Sequence, residues 1–279
     1  MFDQQKLVIE QFVQELRSAY QQTYSSMEPE FVNIIAWSGR LALENIARSD
    51  ALYHNVEHTI LVTLVGQEIL KGKHLCEGGV TPHDWLLFTI ALLCHDIGYV
   101  KGICRNDTGS TFATGIGDET VAISPVGTDA ALQPYHVDRS KLFVCERFGG
   151  KLLREVDAHT IAAYIEMTRF PPPAGVPDNV ESYGTLVRAA DFIGQLGDPR
   201  YLRKIPALYY EFEELGLNVK NGYSNVGDMR RGYADFYWTV VSNHIQGSLR
   251  YLRVTQEGRL WIANLHAHVF DSEHHATLL

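Results

Sequence analysis

The chain has 279 residues, 46% of them hydrophobic and 20% charged, which is the composition of a folded globular protein. That excludes a disordered chain, a collagen-like chain and a charged fibrous rod, and a chain of this length buries a large core without disulfide or metal staples. The formal charge of −9 leaves no overall basic surface for displacing counterions from phosphates, so a nucleic-acid duplex is not expected as a partner.

From the start of the chain, Leu7, Ile9, Phe12, Val13 and Leu16 fall close to helical period, which predicts an amphipathic helix over roughly the first 20 residues. The segment has neither a basic leader nor a continuous apolar stretch, so no secretory signal is expected. Pro29 occupies a first-turn position for the next helix, followed by Phe31, Ile34, Ile35 and Leu41. Asn55 to Leu70 reads as a helix with Val56, Ile60, Leu61, Leu64 and Ile69 inward. Thr81-Pro82-His83-Asp84 is a helix start: Thr caps, Pro fills the first turn and Asp favours the positive end. The run Trp85 to Cys94 is the most apolar of the chain and too hydrophobic on all sides for the surface. It stops at His95-Asp96, short of the roughly 20 apolar residues a membrane span needs, so no membrane is expected as a partner.

Residues 101 to 135 contain five Gly and five Thr and show no sustained period. A loop of that length in a compact domain tends to be functional, and a lid or substrate loop is expected. Helical pattern resumes from His136 to Phe148, then from Ala158 to Met167, ahead of Pro171-Pro172-Pro173. Leu186 to Leu196, Tyr201 to Leu215 and Tyr233 to His244 continue it, with a helical tail after Leu249. Strand signals are weak, and no linker or repeat divides the chain. Cys76, Cys94, Cys104 and Cys145 show no CxxC spacing and read as reduced thiols of a cytoplasmic protein. The expectation is one all-α domain spanning residues 1–279.

Three strings carry chemistry. In Tyr53-His54-Asn55-Val56-Glu57-His58 the two histidines stand four apart, on one helical face about one turn from each other. His95-Asp96 closes the most apolar helix, and Asp191 lies in the apolar helix VRAADFIGQ. Each has an ordinary reading as a hydrogen-bonded core histidine, or as a carboxylate that caps a helix or pairs with Arg188. Ionisable groups at the edge of a core need partners, and one metal ion supplies a partner for all of them.

The string LLCHDIGY resembles the signature of the HD superfamily of metal-dependent phosphohydrolases. The upstream YHNVEH resembles the Tyr-His-Asn-x-x-His motif of its cyclic-nucleotide phosphodiesterase branch, and RAADFIGQ resembles the helix with the last metal aspartate. The resemblance covers about residues 30 to 205 and implies a helical bundle with extensions at both ends. It implies His58, His95, Asp96 and Asp191 as metal ligands and His54 as the acid that protonates the leaving oxygen. The chain departs from the phosphodiesterases at Thr59-Ile60-Leu61-Val62, where an aspartate is usual, and at Thr168-Arg169-Phe170, where Thr-Asp-Met is usual. It therefore implies a phosphohydrolase without assigning cyclic-nucleotide specificity.

Such a donor set suits Fe, Mn, Ni or Mg and tolerates Zn. The ion would polarise a phosphoryl oxygen and acidify water, with Asp96 both ligating and orienting, and His54 acting as general acid. His136 stands where two-metal members of the superfamily carry another histidine, with His159 a weaker candidate, so one or two ions per chain are expected. His136 and Arg139 are expected to face the site. Lys101 and Arg105 follow the HD helix and are candidate phosphate clamps, with solvated loop cations as the ordinary reading. The expected substrate is a small phosphorylated molecule, a nucleotide above others, cleaved at a phosphomonoester or phosphodiester bond, and a homo-oligomer is compatible with the amphipathic first helix.

Two other readings compete. His54-Asn55-Val56-Glu57-His58 also fits the H-x-x-E-H pattern of a zinc peptidase with Glu57 as base, which leaves His95, Asp96 and Asp191 unexplained. A non-catalytic HD-type scaffold would need the helices but not the ligands. Gly149-Gly150-Lys151 lacks the Ser or Thr of a phosphate-binding loop, His274-His275 reads as a solvated tail, and Phe236-Tyr237-Trp238 as mostly core.

Overall fold

A computed structural model describes residues 3–150, 155–172 and 181–275. Its first helix, α1 (Gln4–Tyr24), is capped by the Asp3 carboxylate and buries Ile9, Phe12, Val13, Leu16 and Tyr20 along one stripe. That stripe lies on α2 (Pro29–Ile46). Helix α3 (Val56–Glu77) begins at Asn55, whose side-chain oxygen accepts from the Glu57 and His58 N–H groups. It runs past the expected Leu70 and ends at Gly78, whose φ of 68° is a conformation open to a residue without Cβ. Helix α4 (Pro82–Cys94) starts on a reciprocal capping box between Thr81 and Asp84, and every residue from Trp85 to Cys94 is buried. The fully apolar run is therefore the central core helix.

Residues 101–135 are more structured than expected. They hold an antiparallel hairpin, β1 (Thr111–Ala113) with β2 (Thr120–Ala122), Thr111 opposite Ala122, and a 3-10 segment, Asp129–Tyr135. Helix α5 spans His136–Phe148, α6 Ala158–Glu166, α7 Tyr183–Leu196 and α8 Tyr201–Glu214. The expected helix Tyr233 to His244 is divided. After the short α9 (Leu217–Lys220) and α10 (Val226–Arg231) come α11 (Tyr233–Phe236), a π-helical turn (Tyr237–Val241) and α12 (Ser242–Leu252). The tail after Leu249 is helical as expected, finishing in α13 (Gln256–His275). Of the aromatic triplet only Tyr237 is fully buried, while Trp238 is 53% exposed.

Among the described residues the fold is all-α apart from the hairpin, and no helix is long and apolar enough to cross a membrane. Helix α3 is the axis, packed against α4, α7 and α12. Its approach to α7 is close enough to demand a glycine: a Cβ on Gly194 would stand 2.6 Å from the Val62 Cα, well inside van der Waals contact. This contact brings the start of α3 and the middle of α7 together beside the C-terminal end of α4.

Candidate metal centre

Three helices each end or pass at one point. His58 comes from the first turn of α3, His95-Asp96 from the end of α4 and Asp191 from α7. His58 Nε2 and His95 Nε2 are 3.4 Å apart. Asp96 Oδ2 is 3.1 Å from each of them, and Asp191 Oδ1 is 3.5 Å from each. His58, His95 and Asp191 form a group with ligand atoms within 4.8 Å of one another, and Asp96 Oδ2 adjoins it at hydrogen-bond range. The two histidines are buried, Asp96 nearly so, and Asp191 is partly exposed.

The donor chemistry asks for a cation. His95 Nδ1 donates to the Leu92 carbonyl at 2.7 Å, so in the neutral ring Nε2 carries the lone pair. That lone pair faces two carboxylate oxygens and a second imidazole nitrogen. His58 Nδ1 is buried without a hydrogen-bond partner. Four acceptors in contact are unfavourable unless a proton or a metal ion lies among them. Ligands held at roughly 2.1 Å around an octahedral ion sit about 3 Å from one another, which is the spacing found. The residues present therefore fit a divalent metal. In the protein's own field, burial opposes charge on His95, but Asp96 and Asp191 push its pKa well above the ordinary value. Burial likewise opposes charge on Asp191, yet His95 and His58 pull its pKa down to about 2.

His136 joins this group at its edge, with Nε2 3.7 Å from Asp96 Oδ1. Its Nδ1 donates to the Gln133 carbonyl at 2.5 Å, which leaves Nε2 as the acceptor. Burial pushes its pKa down despite the Asp96 charge. The start of α5 reaches this place because Gly98 has no side chain: a Cβ there would lie 1.9 Å from the His136 carbonyl. Ser140 completes the joint, its hydroxyl donating to the His95 carbonyl at 2.7 Å and accepting from the Gly98 N–H at 2.9 Å.

His54 does not share a helical face with His58 as expected: it precedes the Asn55 cap of α3, with its ring centroid 5.6 Å from that of His58, and is held by a distant residue. Its Nδ1 donates to Glu211 Oε2 at 2.5 Å, and Glu211 Oε1 accepts from the Tyr53 and His54 N–H groups at 2.7 and 3.3 Å. Burial works against a charge on His54, and the Glu211 carboxylate outweighs it, raising the pKa to about 9. Tyr99 lies between two imidazoles, stacked on His54 at 4.4 Å and on His136 at 4.6 Å between ring centroids. Glu211 and Tyr99 escaped the sequence reading. Tyr99 sits in the string HDIGY and could have been singled out there; Glu211, in YYEFEE, carries no local signal.

The remaining candidates lie elsewhere. Lys101 Nζ donates to the Gly127 carbonyl at 2.6 Å and is 3.5 Å from Asp129 Oδ1, so it ties the two ends of its own segment together. Arg105 bonds the Glu146 carbonyl through its guanidinium, at the exposed side of α5. Arg139 does not face the site as expected. Its side chain is fully buried, and all five N–H groups are engaged by Gly98, Val100 and Ala113 carbonyls and by both oxygens of Asp107. It fastens the hairpin segment to the turn after α4. His159 is exposed at the start of α6. Glu57, the base of the peptidase alternative, is at the surface, paired with Arg200 and Lys204.

No curated protein matches the chain, and no solved structure does. A family model described as Npun_R2479-like matches residues 2–275. This match spans nearly the whole sequence, the cluster of His58, His95, Asp96 and Asp191 included, and the chain belongs to the Npun_R2479-like family.

Proposed function

We infer that this protein is a metal-dependent phosphohydrolase of the HD type, acting on a phosphomonoester or phosphodiester bond of a small molecule, a nucleotide above others. The observation that carries the reading is the convergence of His58, His95, Asp96 and Asp191 from three separate helices with their ligand atoms 3.1–3.5 Å apart. A bound divalent ion supplies Lewis-acid polarisation of a phosphoryl group and acidification of water. The side chains around it do the rest. Asp191, the most accessible of the four ligands, marks the open side from which substrate enters. His54, charged by its bond to Glu211, holds the proton that a leaving oxygen takes up. Stacking on Tyr99 fixes the plane of that ring. Tyr53 and Tyr99, both buried, pack against the His58, His54 and His136 rings and shield them from bulk water, which strengthens each electrostatic contact.

The test is a hydrolysis screen over nucleoside monophosphates, cyclic nucleotides and p-nitrophenyl phosphodiesters with added Mn, Fe, Ni, Mg or Zn. Turnover that falls about 100-fold or more in His54→Ala, with metal content retained, supports the assignment of proton donor. Metal bound at stoichiometric level with no turnover of any phosphoester would move the protein to the scaffold reading.

A further inference from the structure

We propose that the protein has a second ligand site, remote from the metal centre, which takes an uncharged nucleoside or nucleobase. A cleft of about 570 Å³ opens over the far half of α3, between α1 and α13. That volume is the size of a small-molecule site. At 1.5 Å rise per residue, Gln67 and His74 stand roughly 14–24 Å along α3 from His58. The cleft is built by the helices outside the HD-like core: α1 and α13 form its walls, and α3 with Trp85 of α4 forms its floor.

The floor offers hydrogen bonds that the protein leaves unused. Gln67 Nε2, His74 Nδ1 and Trp85 Nε1 are buried atoms with no partner, and all three residues line this one cleft. Gln67 is 5% exposed and Trp85 1%. Buried polar groups are nearly always paired, so three unpaired atoms around one cavity, two of them donors, call for a ligand that accepts. The indole N–H and the amide NH₂ only donate, and the last torsion of Gln67 is soft enough to turn its amide to the cleft surface. The inner end of the ligand therefore carries carbonyl or ring-nitrogen acceptors. The charged groups around the cleft are of opposite character: Glu15 and Glu257 from the walls and Glu68 from the floor outnumber Lys71. Glu68 already holds the Thr255 hydroxyl at 2.8 Å. Carboxylates accept from hydroxyl or amine groups and repel phosphate and carboxylate ligands. Trp261, Leu64 and Leu75 supply apolar and aromatic surface for a flat ring. Acceptors inside, donors outside, a planar body and no negative charge describe a nucleoside rather than a nucleotide.

The experiment is calorimetric titration of the full-length protein with adenosine, guanosine, cytidine and uridine to millimolar concentration, in parallel with the matching 5′-monophosphates. Gln67→Leu removes the floor amide at nearly constant shape, and Trp85→Phe removes the indole N–H together with part of the ring. The expected result is saturable one-to-one binding of at least one nucleoside, weakened about tenfold by each substitution, with its monophosphate weaker still at the cleft. The melting temperature of Gln67→Leu should stay level or rise, because it loses an unpartnered buried polar group, whereas Trp85→Phe should melt lower because its smaller ring leaves a cavity in the core. Absence of binding by all four nucleosides overturns the proposal, as does binding that neither substitution weakens, which would place the nucleoside at the metal centre instead.

Discussion

Replacing Arg139 with Met separates a structural role from a substrate role. The guanidinium is fully buried, and Asp107 beside it is 0% exposed in its side chain. In Arg139→Met the Asp107 carboxylate keeps only the N–H groups of Cys104 and Ala113, at 3.2 and 2.9 Å. Three carbonyls, of Gly98, Val100 and Ala113, lose their donor. A buried ion left without its partner costs about 3–5 kcal/mol, a large fraction of a total stability of about 5–15 kcal/mol. With an m-value of about 3 kcal/mol/M for urea, the unfolding midpoint falls by about 1–2 M. The second substitution Asp107→Leu, made on top of Arg139→Met, should recover at least half of the loss because it removes the stranded charge. Urea titration followed by circular dichroism reads both. A loss below about 1 kcal/mol, accompanied by a raised KM for a phosphoester, would refute the structural role and restore Arg139 as a substrate ligand.

Three further outcomes follow from the geometry. Glu211→Gln should lower the His54 pKa from about 9, read by NMR titration of the ring; since the folded value lies above the ordinary 6.5, the stabilisation is complete below that value and is lost as pH rises through 9. The pair contributes on the order of 2–3 kcal/mol near neutrality, so wild type and Glu211→Gln should differ most below neutrality and converge in alkaline buffer; a difference independent of pH would contradict the pairing. Gly98→Ala should cost about 2–4 kcal/mol by forcing a Cβ onto the His136 carbonyl, whereas Gly247→Ala, in the open on α12, should gain about 0.5–1 kcal/mol, both by thermal melting. Glu57→Gln should leave metal content and turnover within about twofold of wild type, since its partners are Arg200 and Lys204 at the surface; abolished activity would favour the peptidase alternative.

What the sequence revealed of the site was what sits in short strings. YHNVEH and HDIG each gather their groups within a short string, and Asp191 stands out as a carboxylate among apolar neighbours, so all four residues of the cluster could be named before any fold was in hand. Helix starts were equally legible where a proline fills the first turn, behind a capping side chain at Thr81-Pro82 and without one at Pro29. Contacts over long separation left no trace. Glu211 lies 157 residues from His54, and its helix reads as an ordinary amphipathic one. Arg139 was misread because a buried arginine and a phosphate-binding arginine look alike in a sequence; only its ring of carbonyls and Asp107 distinguishes them. The hairpin was missed because strands of three residues, Thr111–Ala113 and Thr120–Ala122, are too short for alternation to show. The helix expected from Tyr233 to His244 shows the limit of periodicity: a π-helical turn shifts the register of its face partway along.

The proposed function depends on one ion held jointly by residues brought together from α3, α4 and α7. Elemental mass spectrometry of untagged wild type, Asp191→Ala and His58→Ala, purified in parallel and loaded with the same divalent metals, tests it most directly. Wild type should carry near-stoichiometric metal and both variants should lose it, with the helical content of all three unchanged by circular dichroism. Wild type that takes up no Mn, Fe, Ni, Mg or Zn, or variants that hold as much as wild type, would contradict it.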